Sequence, residues 1–241
     1  MNLTKTVCVT GTDRGIGFAL AKQLLEEGYT VFAGGIRETN KAMDALKEMH
    51  GDRLYPFHLD VGSDESVRAA AEVVRSKTDA LDFIINNAAI LGDTVKTIED
   101  ELDFDDMIAC FNVTALGAIR VANALLGPVM NGGKLIVNIS SEAGSIGQSY
   151  REAWFAYCMA KSALNMGSTI IQNRIRKQGG RVLLLHPGWV KTFLRGEWDD
   201  RGTYTPEEAA ANILKTIRER GGELHDQPLY LEADTGRKLP W

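Results

Sequence analysis

The stretch that decides the fold is Thr6-Val7-Cys8-Val9-Thr10-Gly11-Thr12-Asp13-Arg14-Gly15-Ile16-Gly17. Its first five residues are β-branched or small, which predicts a buried strand. A glycine-rich turn follows, and an apolar helical pattern begins inside that turn. Glycine permits positive φ, while the free N–H groups and the dipole of a helix start favour an anion. Strand, glycine turn and helix in this order are typical of a turn that binds the pyrophosphate of a dinucleotide.

The rest of the chain repeats the alternation of short apolar runs with longer helical patterns. Strands are predicted at Thr6–Thr10, Thr30–Ala33, Leu54–Leu59, Leu81–Asn86, Lys134–Ser140, Val182–His186 and Leu229–Glu232. Helices are predicted at Gly15–Glu27, Lys41–Met49, Ser63–Ser76, Glu101–Leu126, Ala153–Lys177 and Pro206–Arg220. Continuous apolar strands separated by helices indicate a parallel sheet covered on both faces. We therefore expect one α/β domain over residues 1–241, with a Rossmann-like doubly wound parallel sheet of about seven strands.

Composition narrows the choice of partners. The 241 residues carry 27 Lys+Arg against 32 Asp+Glu, and no basic run could follow a phosphate backbone, so no nucleic-acid partner is expected. Cys8, Cys110 and Cys158 are widely spaced, which favours free thiols in a reducing compartment over disulfides or a zinc site. The start of the chain lacks a signal-peptide pattern, and we expect no apolar stretch that approaches membrane-spanning length. We expect a cytoplasmic protein with no membrane partner and no metal.

The residue after the second strand indicates which dinucleotide is bound. An NAD site places an acidic residue there to receive the ribose 2′-hydroxyl. This chain reads Ala33-Gly34-Gly35-Ile36-Arg37, with no carboxylate. Arg37 and Arg14 could instead converge on a 2′-phosphate, because guanidinium groups bind phosphate through paired hydrogen bonds. The pattern favours NADP(H) over NAD(H).

Tyr157 and Lys161 lie four residues apart in a predicted helix and therefore share one face. A lysine ammonium beside a tyrosine, helped by a positively charged nicotinamide, would favour the phenolate and lower the tyrosine pKa from its usual value near 10. Tyr157 could then give a proton to a carbonyl, or take one from an alcohol, while hydride moves to or from the cofactor.

Two further positions carry polar side chains with a possible role in the chemistry. Ser140 and Ser141 end a predicted strand at the sheet edge where ligands of such folds bind, although both could merely end the strand. Asn112 lies inside a helical segment, where an amide is not favoured, and could bind backbone or water.

The stretch Trp189–Thr205 is irregular and contains Phe193, Arg195, Glu197 and Trp198. It is too polar for a core and too aromatic for a solvated spacer. A flap over the substrate side of a pocket would have this composition, and so would a surface loop anchored by two tryptophans.

Together these motifs resemble the short-chain dehydrogenase/reductase superfamily over nearly the whole chain. Thr10–Gly17 matches its glycine motif, Asp60-Val61 its adenine-contacting pair, and Asn86-Asn87-Ala88 the segment after its fourth strand. The family's catalytic tetrad is matched by Asn112, Ser141, Tyr157 and Lys161. The nicotinamide-side loop is matched by Pro187, Gly188, Val190 and Thr192.

The resemblance implies a role for each member of the tetrad. Tyr157 would be the general acid/base and Ser141 would orient the substrate oxygen. Lys161 would bind the nicotinamide ribose and lower the tyrosine pKa, while Asn112 would hold a water. The resemblance also implies cofactor contacts from Gly11, Arg14, Gly15, Ile16, Gly17, Arg37, Asp60, Val61, Asn87, Ala88, Tyr157, Lys161, Pro187, Gly188, Val190 and Thr192.

The chain departs from the family pattern at two places. Ala89 replaces a glycine, which adds a methyl group near the cofactor without blocking it. Ser141 precedes Tyr157 by 16 residues, more than usual, because of an extended loop over Gly144–Ala156. Ser140 or Ser145 could therefore be the working hydroxyl instead.

The long loop, the run His186–Thr192 and the ending Leu239-Pro240-Trp241 resemble the C-factor and Sniffer-like carbonyl reductase subgroup. This implies an NADP(H)-dependent oxidoreductase acting on a carbonyl or secondary alcohol. A dinucleotide-binding regulatory or signalling protein with little turnover remains the alternative. A homo-dimer or homo-tetramer is a further expectation from the family. Five aromatic residues could line an apolar pocket for aromatic or extended hydrophobic carbonyl substrates: Trp154, Phe155, Trp189, Phe193 and Trp198.

Overall fold

The structure, a computed structural model, describes residues 5–37, 40–194, 196 and 198–241. Its strands are β1 (Thr6–Thr10), β2 (Thr30–Gly35), β3 (Leu54–His58), β4 (Phe83–Asn86), β5 (Leu135–Ile139), β6 (Arg181–His186) and β7 (Leu229–Glu232). They form one seven-stranded sheet in the order β3-β2-β1-β4-β5-β6-β7, and every neighbouring pair is parallel. The predicted α/β fold is confirmed.

The helices cover both faces of this sheet. They are α1 (Gly15–Glu26), α2 (Lys41–His50), α3 (Asp64–Arg75), α4 (Phe104–Phe111), α5 (Gly117–Asn131), α6 (Phe155–Ile175) and α7 (Pro206–Arg220). One core cluster joins α1, α2 and α7 to the sheet, and a second joins α3, α5 and the end of α6 to the opposite face. Successive residues of β1 divide between the clusters: Val7 and Val9 enter the first, and Cys8 enters the second. Successive side chains of β1 lack charge because both faces of the strand are buried.

The longest predicted helix differs most from its observed counterpart. The observed helix begins at Phe104 and not at Glu101, because the Asp103 side chain caps its first turn by accepting the N–H of Asp106 at 3.0 Å. It runs to Asn131, past Pro128, where the sequence predicted an end at Leu126. Proline has no N–H for the carbonyl four residues earlier. That carbonyl, of Ala124, instead accepts a hydrogen bond from the Arg75 guanidinium, which allows the helix to continue.

A π-helical segment, Asn112–Leu116, joins α4 and α5 into a continuous helix over Phe104–Asn131. By length and hydropathy this helix could cross a membrane, so the expectation that no apolar stretch approaches membrane-spanning length was wrong. Its apolar composition has a local explanation, because Val121, Leu125 and Val129 pack in the second core cluster. The core helix of a soluble α/β protein passes the same test.

The order of the strands determines where a ligand can bind. The connections run outward from β1 towards β3 on one side and from β4 towards β7 on the other. The loops that leave β1 and β4 therefore diverge at the carboxyl edge of the sheet and open a crevice there.

Candidate active site

A cavity of about 770 Å³ occupies this crevice. It brings together residues from the ends of six strands, β1 to β6, and from the start of α6. The predicted residues that line it are Gly11, Arg14, Gly15, Ile16, Arg37, Asp60, Val61, Asn87, Ala88, Ser141, Tyr157, Lys161, Pro187, Gly188, Val190 and Thr192. Of the residues predicted for the tetrad and the cofactor contacts, Gly17 and Asn112 are not part of its lining.

The glycine turn requires glycine for two different reasons. Gly11 and Gly15 have φ of +70° and +57°, a region that other residues seldom adopt. Gly17 is needed for space, since a Cβ there would lie 2.1 Å from the carbonyl oxygen of Gly11. Gly17 therefore acts behind the cavity wall, by letting α1 pack directly on the turn.

The segment after β4 holds the glycine turn in place. The Thr10 hydroxyl accepts the N–H groups of Asn87 and Ala88 at 3.0 and 3.1 Å. The Asn87 amide donates in return to the carbonyls of Thr10 and Gly11, at 3.0 and 3.2 Å. These four bonds tie the carboxyl ends of β1 and β4 together, so the turn is rigid.

The start of α1 has the properties of a pyrophosphate site. Its N-cap residue, Arg14, makes no side-chain capping bond. The structure describes every residue of α1, and the first turn contains no acidic residue. The N–H groups at the helix start are therefore available, and the helix dipole is not neutralised there. Thr192 borders the same space, since a Cβ on Gly15 would lie 3.5 Å from its methyl group. The residues present fit a dinucleotide.

The adenosine end of the cavity is more polar and more exposed. Arg14 and Arg37 are both exposed and line it. The Arg14 guanidinium lies 5.3 Å from the centre of the Phe193 ring and donates to the Phe193 carbonyl at 3.3 Å. Asp60 accepts the N–H of Gly62 at 2.8 Å, which shapes the turn after β3.

Sequence reasoning missed Asp13. The described residues directly after β2, Ile36 and Arg37, include no carboxylate, but the Asp13 side chain reaches them from the glycine turn and accepts their N–H groups at 3.0 and 2.8 Å. Nothing in the spacing of the glycine motif indicates this contact, because Asp13 occupies one of its variable positions.

Tyr157 and Lys161 lie in the first two turns of α6 and are buried, with exposed fractions of 8% and 2%. The Lys161 Nζ donates to the carbonyl of Ile139 at 2.7 Å and lies 5.4 Å from the centre of the Tyr157 ring. Burial lowers the pKa of Lys161 to about 8. Burial also raises the pKa of Tyr157, while a hydrogen bond with Ser141 acts in the opposite direction. That Lys161 and a bound nicotinamide bring the phenol pKa down towards neutrality stays a prediction.

The structure separates the three candidate serines. Ser140 also lines the cavity, but it donates its hydroxyl to the buried Asn165 at 2.7 Å. Ser145 lies outside the cavity lining and donates to the Trp241 carbonyl at 3.5 Å. Ser141 lines the cavity, and its interaction with the Tyr157 phenol opposes the rise in the tyrosine pKa that burial causes. Its oxygen also accepts the N–H of Ala143 at 3.2 Å, which leaves its proton available. Ser141 is therefore the hydroxyl placed beside the phenol.

The Asn112 side chain is directed away from Tyr157 and Lys161. Its amide nitrogen donates to the Gly62 carbonyl at 3.0 Å, and its amide oxygen accepts from Arg120 at 2.7 Å. This matches the alternative of binding backbone, and a water-holding role stays a prediction. Asn112 begins the π-helical segment, a distortion often found at functional sites.

The substrate side of the cavity combines apolar walls with one ion pair. Leu91, Trp154, Trp189 and Phe193 line it, and Trp154 has φ of +69°, a strained conformation for a tryptophan. Arg151 forms two bonds with Glu142, at 2.9 and 2.6 Å, and its guanidinium lies 4.9 Å from the Tyr150 ring centre and 5.0 Å from that of Trp154. The expectation for Phe155 and Trp198 was wrong, because neither lines the cavity; Trp198 packs on Phe193 at 5.2 Å.

Main-chain hydrogen bonds connect the two ends of the predicted flap, Trp189–Thr205. Thr203 donates to the Trp189 carbonyl at 2.7 Å, and Lys191 donates to the Tyr204 carbonyl at 2.8 Å. Between these bonds the segment reaches the cavity through Phe193, Leu194 and Asp199. Arg195 and Glu197 lie outside the described residues. Movement of this segment stays a prediction.

Comparison with known proteins agrees with this geometry. The short chain dehydrogenase family model matches residues 5–202. The chain belongs to this family. The chain is 31% identical over 244 residues to estradiol 17-beta-dehydrogenase 2 of Mus musculus, in an alignment that covers 98% of this chain and 61% of the mouse enzyme. The chain thus spans about three fifths of that relative's length.

Solved structures of carbonyl reductases share the fold of this short-chain dehydrogenase. The NADPH-bound carbonyl reductase from chicken fatty liver has a TM-score of 0.85 and 29% identity, over 99% of this chain and 94% of that one. The carbonyl reductase Sniffer of D. melanogaster has a TM-score of 0.88 over 99% and 100% of the two chains. At 22% identity, Sniffer supports the fold alone. The predicted likeness to carbonyl reductases is confirmed.

Proposed function

We propose that this chain is one NAD(P)-binding domain that reduces a ketone or aldehyde, or oxidises the corresponding secondary alcohol, with NADP(H) preferred over NAD(H). One observation carries the proposal: Ser141, Tyr157 and Lys161 lie in the same cavity as the glycine turn and the two exposed arginines. Acid–base and dinucleotide-binding groups are thus joined in one space. The NADPH held by the related chicken carbonyl reductase also supports the choice of cofactor.

The cofactor would lie between the start of α1, which would bind its pyrophosphate, and Lys161, which would bind its ribose. When bound, its nicotinamide would supply or accept the hydride. Arg14 and Arg37 supply the positive charge that a 2′-phosphate needs. Asp60 and Val61 would border the adenine.

Proton transfer would be the work of Tyr157. Its hydroxyl would donate to the carbonyl oxygen of a substrate, while the Ser141 hydroxyl holds the same oxygen through a second hydrogen bond. A charged Lys161 would then stabilise the phenolate that remains, because its Nζ lies 5.4 Å from the phenol ring in a buried site where charges interact strongly.

The apolar walls support aromatic or extended hydrophobic carbonyl compounds as substrates. Leu91, Trp154, Trp189 and Phe193 would provide contact surface, and the cationic group of Arg151 is already paired with Glu142. A neutral substrate therefore suits the cavity better than a charged one.

Titration of the purified protein with NADPH and NADH, followed by assays of a carbonyl panel, tests the proposal. We expect tight NADPH binding and turnover of at least one aromatic ketone or aldehyde. Failure to bind either dinucleotide would refute it. Binding without turnover across the panel would support the alternative, a regulatory or signalling protein that uses the dinucleotide as a ligand.

We also propose a homo-oligomer formed through α4 and α6. Phe104, Ile108, Met159, Met166 and Ile170 are exposed on these two helices, which pack together. Large apolar side chains exposed on two helices that pack together are typical of an interface. Light scattering at micromolar concentration should give a dimer or tetramer, and a monomer would exclude it. The free thiols of Cys8, Cys110 and Cys158 suit the cytoplasm, which we propose as its location.

A further inference from the structure

The Asp13 carboxylate lies where the adenosine end of the cofactor would be recognised. Both of its oxygens accept main-chain N–H groups: Oδ2 from Ile36 at 3.0 Å and Oδ1 from Arg37 at 2.8 Å. It lines the cavity together with Arg14 and Arg37, the residues proposed to bind a 2′-phosphate. Among the described residues, this end of the cavity thus carries two negative side chains, Asp13 and Asp60, and two positive ones, Arg14 and Arg37.

The surrounding residues show that this position is built into the fold. A Cβ on Gly35 would lie 2.7 Å from Asp13 Oδ1, so the glycine makes room for the carboxylate. The amide of Asn40 donates to the main-chain carbonyl of Asp13 at 2.9 Å, and the N–H of Thr12 donates to Gly34 at 3.0 Å. The glycine turn and the turn after β2 are joined on both sides of Asp13.

The chemistry of the group decides what it favours. A carboxylate has about four lone-pair sites, and the two N–H bonds use two of them. The remaining sites can accept a hydrogen bond from a ribose 2′-hydroxyl, as the acidic residue of an NAD site does. Towards a 2′-phosphate the same group is repulsive, and it occupies two N–H groups that a phosphate could otherwise use.

We propose that Asp13 determines cofactor discrimination, by lowering the preference for NADPH so that NADH is also accepted. The inference rests on the proposed function. The chain combines both recognition devices in one cavity: Arg14 and Arg37 attract a 2′-phosphate, and the Asp13 carboxylate from the glycine turn offsets part of that attraction.

The test is an isothermal titration of wild type and Asp13→Asn with NADPH and NADH, and with adenosine 2′,5′-bisphosphate and AMP. Asparagine keeps the size of the side chain and one acceptor but removes the charge. The ratio of the NADH to the NADPH dissociation constant should rise about tenfold in the variant at low salt. The two adenosine fragments should show the same change, which would place the effect at this end of the cavity.

Titrations at high salt and of two further variants separate the effect of the Asp13 charge from a structural effect of the substitution. The rise in the ratio of dissociation constants caused by Asp13→Asn should be smaller at about 0.5 M salt, because exposed charges are then screened within a few ångströms. Asp44→Asn, which removes an exposed charge of α2 outside the cavity lining, should leave the ratio unchanged. In Asp13→Ala, which also removes both acceptors, the ratio should rise as well.

An unchanged or lower ratio in Asp13→Asn would overturn the inference and leave the proposed function standing. Equal weakening of both dinucleotides in Asp13→Asn and Asp13→Ala would reduce Asp13 to a residue that holds the turn. A wild-type protein that binds none of the four ligands would refute the proposed function itself, and the inference with it.

Discussion

The two ends of the cavity are built differently. At the catalytic end, Tyr157 and Lys161 are almost fully buried, and the Lys161 ammonium has a carbonyl partner at 2.7 Å. At the adenosine end, Arg14 and Arg37 are exposed side chains on turns. Buried groups act in a low dielectric with fixed geometry, while exposed charges are screened by water and salt. Substitutions should therefore have large effects at the first end and graded, salt-dependent effects at the second.

The largest effect is expected at Tyr157. Tyr157→Phe removes the proton donor while keeping the buried ring, so kcat should fall by at least about 10³-fold with cofactor dissociation constants nearly unchanged. Steady-state kinetics and cofactor titration measure the two quantities. Tyr55→Phe, a half-buried tyrosine of β3 outside the cavity, is the matched control. Wild-type kcat in Tyr157→Phe would remove Tyr157 from the mechanism.

A smaller loss should follow from Ser141→Ala. The substrate oxygen would lose the hydrogen bond from the Ser141 hydroxyl, so kcat should drop by about 10²-fold. Ser145→Ala is the control, because Ser145 lies outside the cavity lining. If Ser145→Ala lost more activity than Ser141→Ala, the assignment of the working hydroxyl would be wrong.

Lys161 should make stability depend on pH. Its pKa is about 8 in the fold, against 10.5 in a model peptide, so the unfolded chain binds more protons between these values. This group's contribution therefore becomes more favourable as pH rises. In urea unfolding of the cofactor-free proteins, wild type should gain about 2 kcal/mol relative to Lys161→Met between pH 7 and 9.5.

Lys215→Met, at an exposed position of α7, should show no such pH dependence relative to wild type. A constant difference between wild type and Lys161→Met across this range would mean that Lys161 is charged in the folded protein throughout.

The smallest effect is expected at the exposed end. Arg37→Ala should weaken NADPH about tenfold and NADH by much less, because one charge-assisted contact to the 2′-phosphate is lost. Titrations at low and high salt measure both, and the NADPH effect should decline with salt. Arg68→Ala, on the exposed face of α3, is the control. Equal losses for both cofactors would contradict a phosphate contact.

Local patterns predicted most of the fold. The predicted bounds of β1, β7 and α7 agree with the structure. For β1 and α7 the boundary signals in the sequence are strong: a glycine turn follows Thr10, and Thr205 forms a capping box before Pro206 at the start of α7. The helix through Pro128 was mispredicted at its end, since the hydrogen bond from Arg75 to Ala124 comes from a distant helix. No local signal reports such a partner.

The sequence by itself determined the alternation of strands and helices, the glycine turn, and the Tyr157–Lys161 pair, because these depend on residue type and short spacing. Only the tertiary structure decided which of three serines lies beside the phenol, that Asn112 turns to Gly62 and Arg120, and that Asp13 lies at the end of β2. Such contacts join side chains from segments far apart along the chain. Their partners depend on how strands and helices pack, which short-range spacing does not encode.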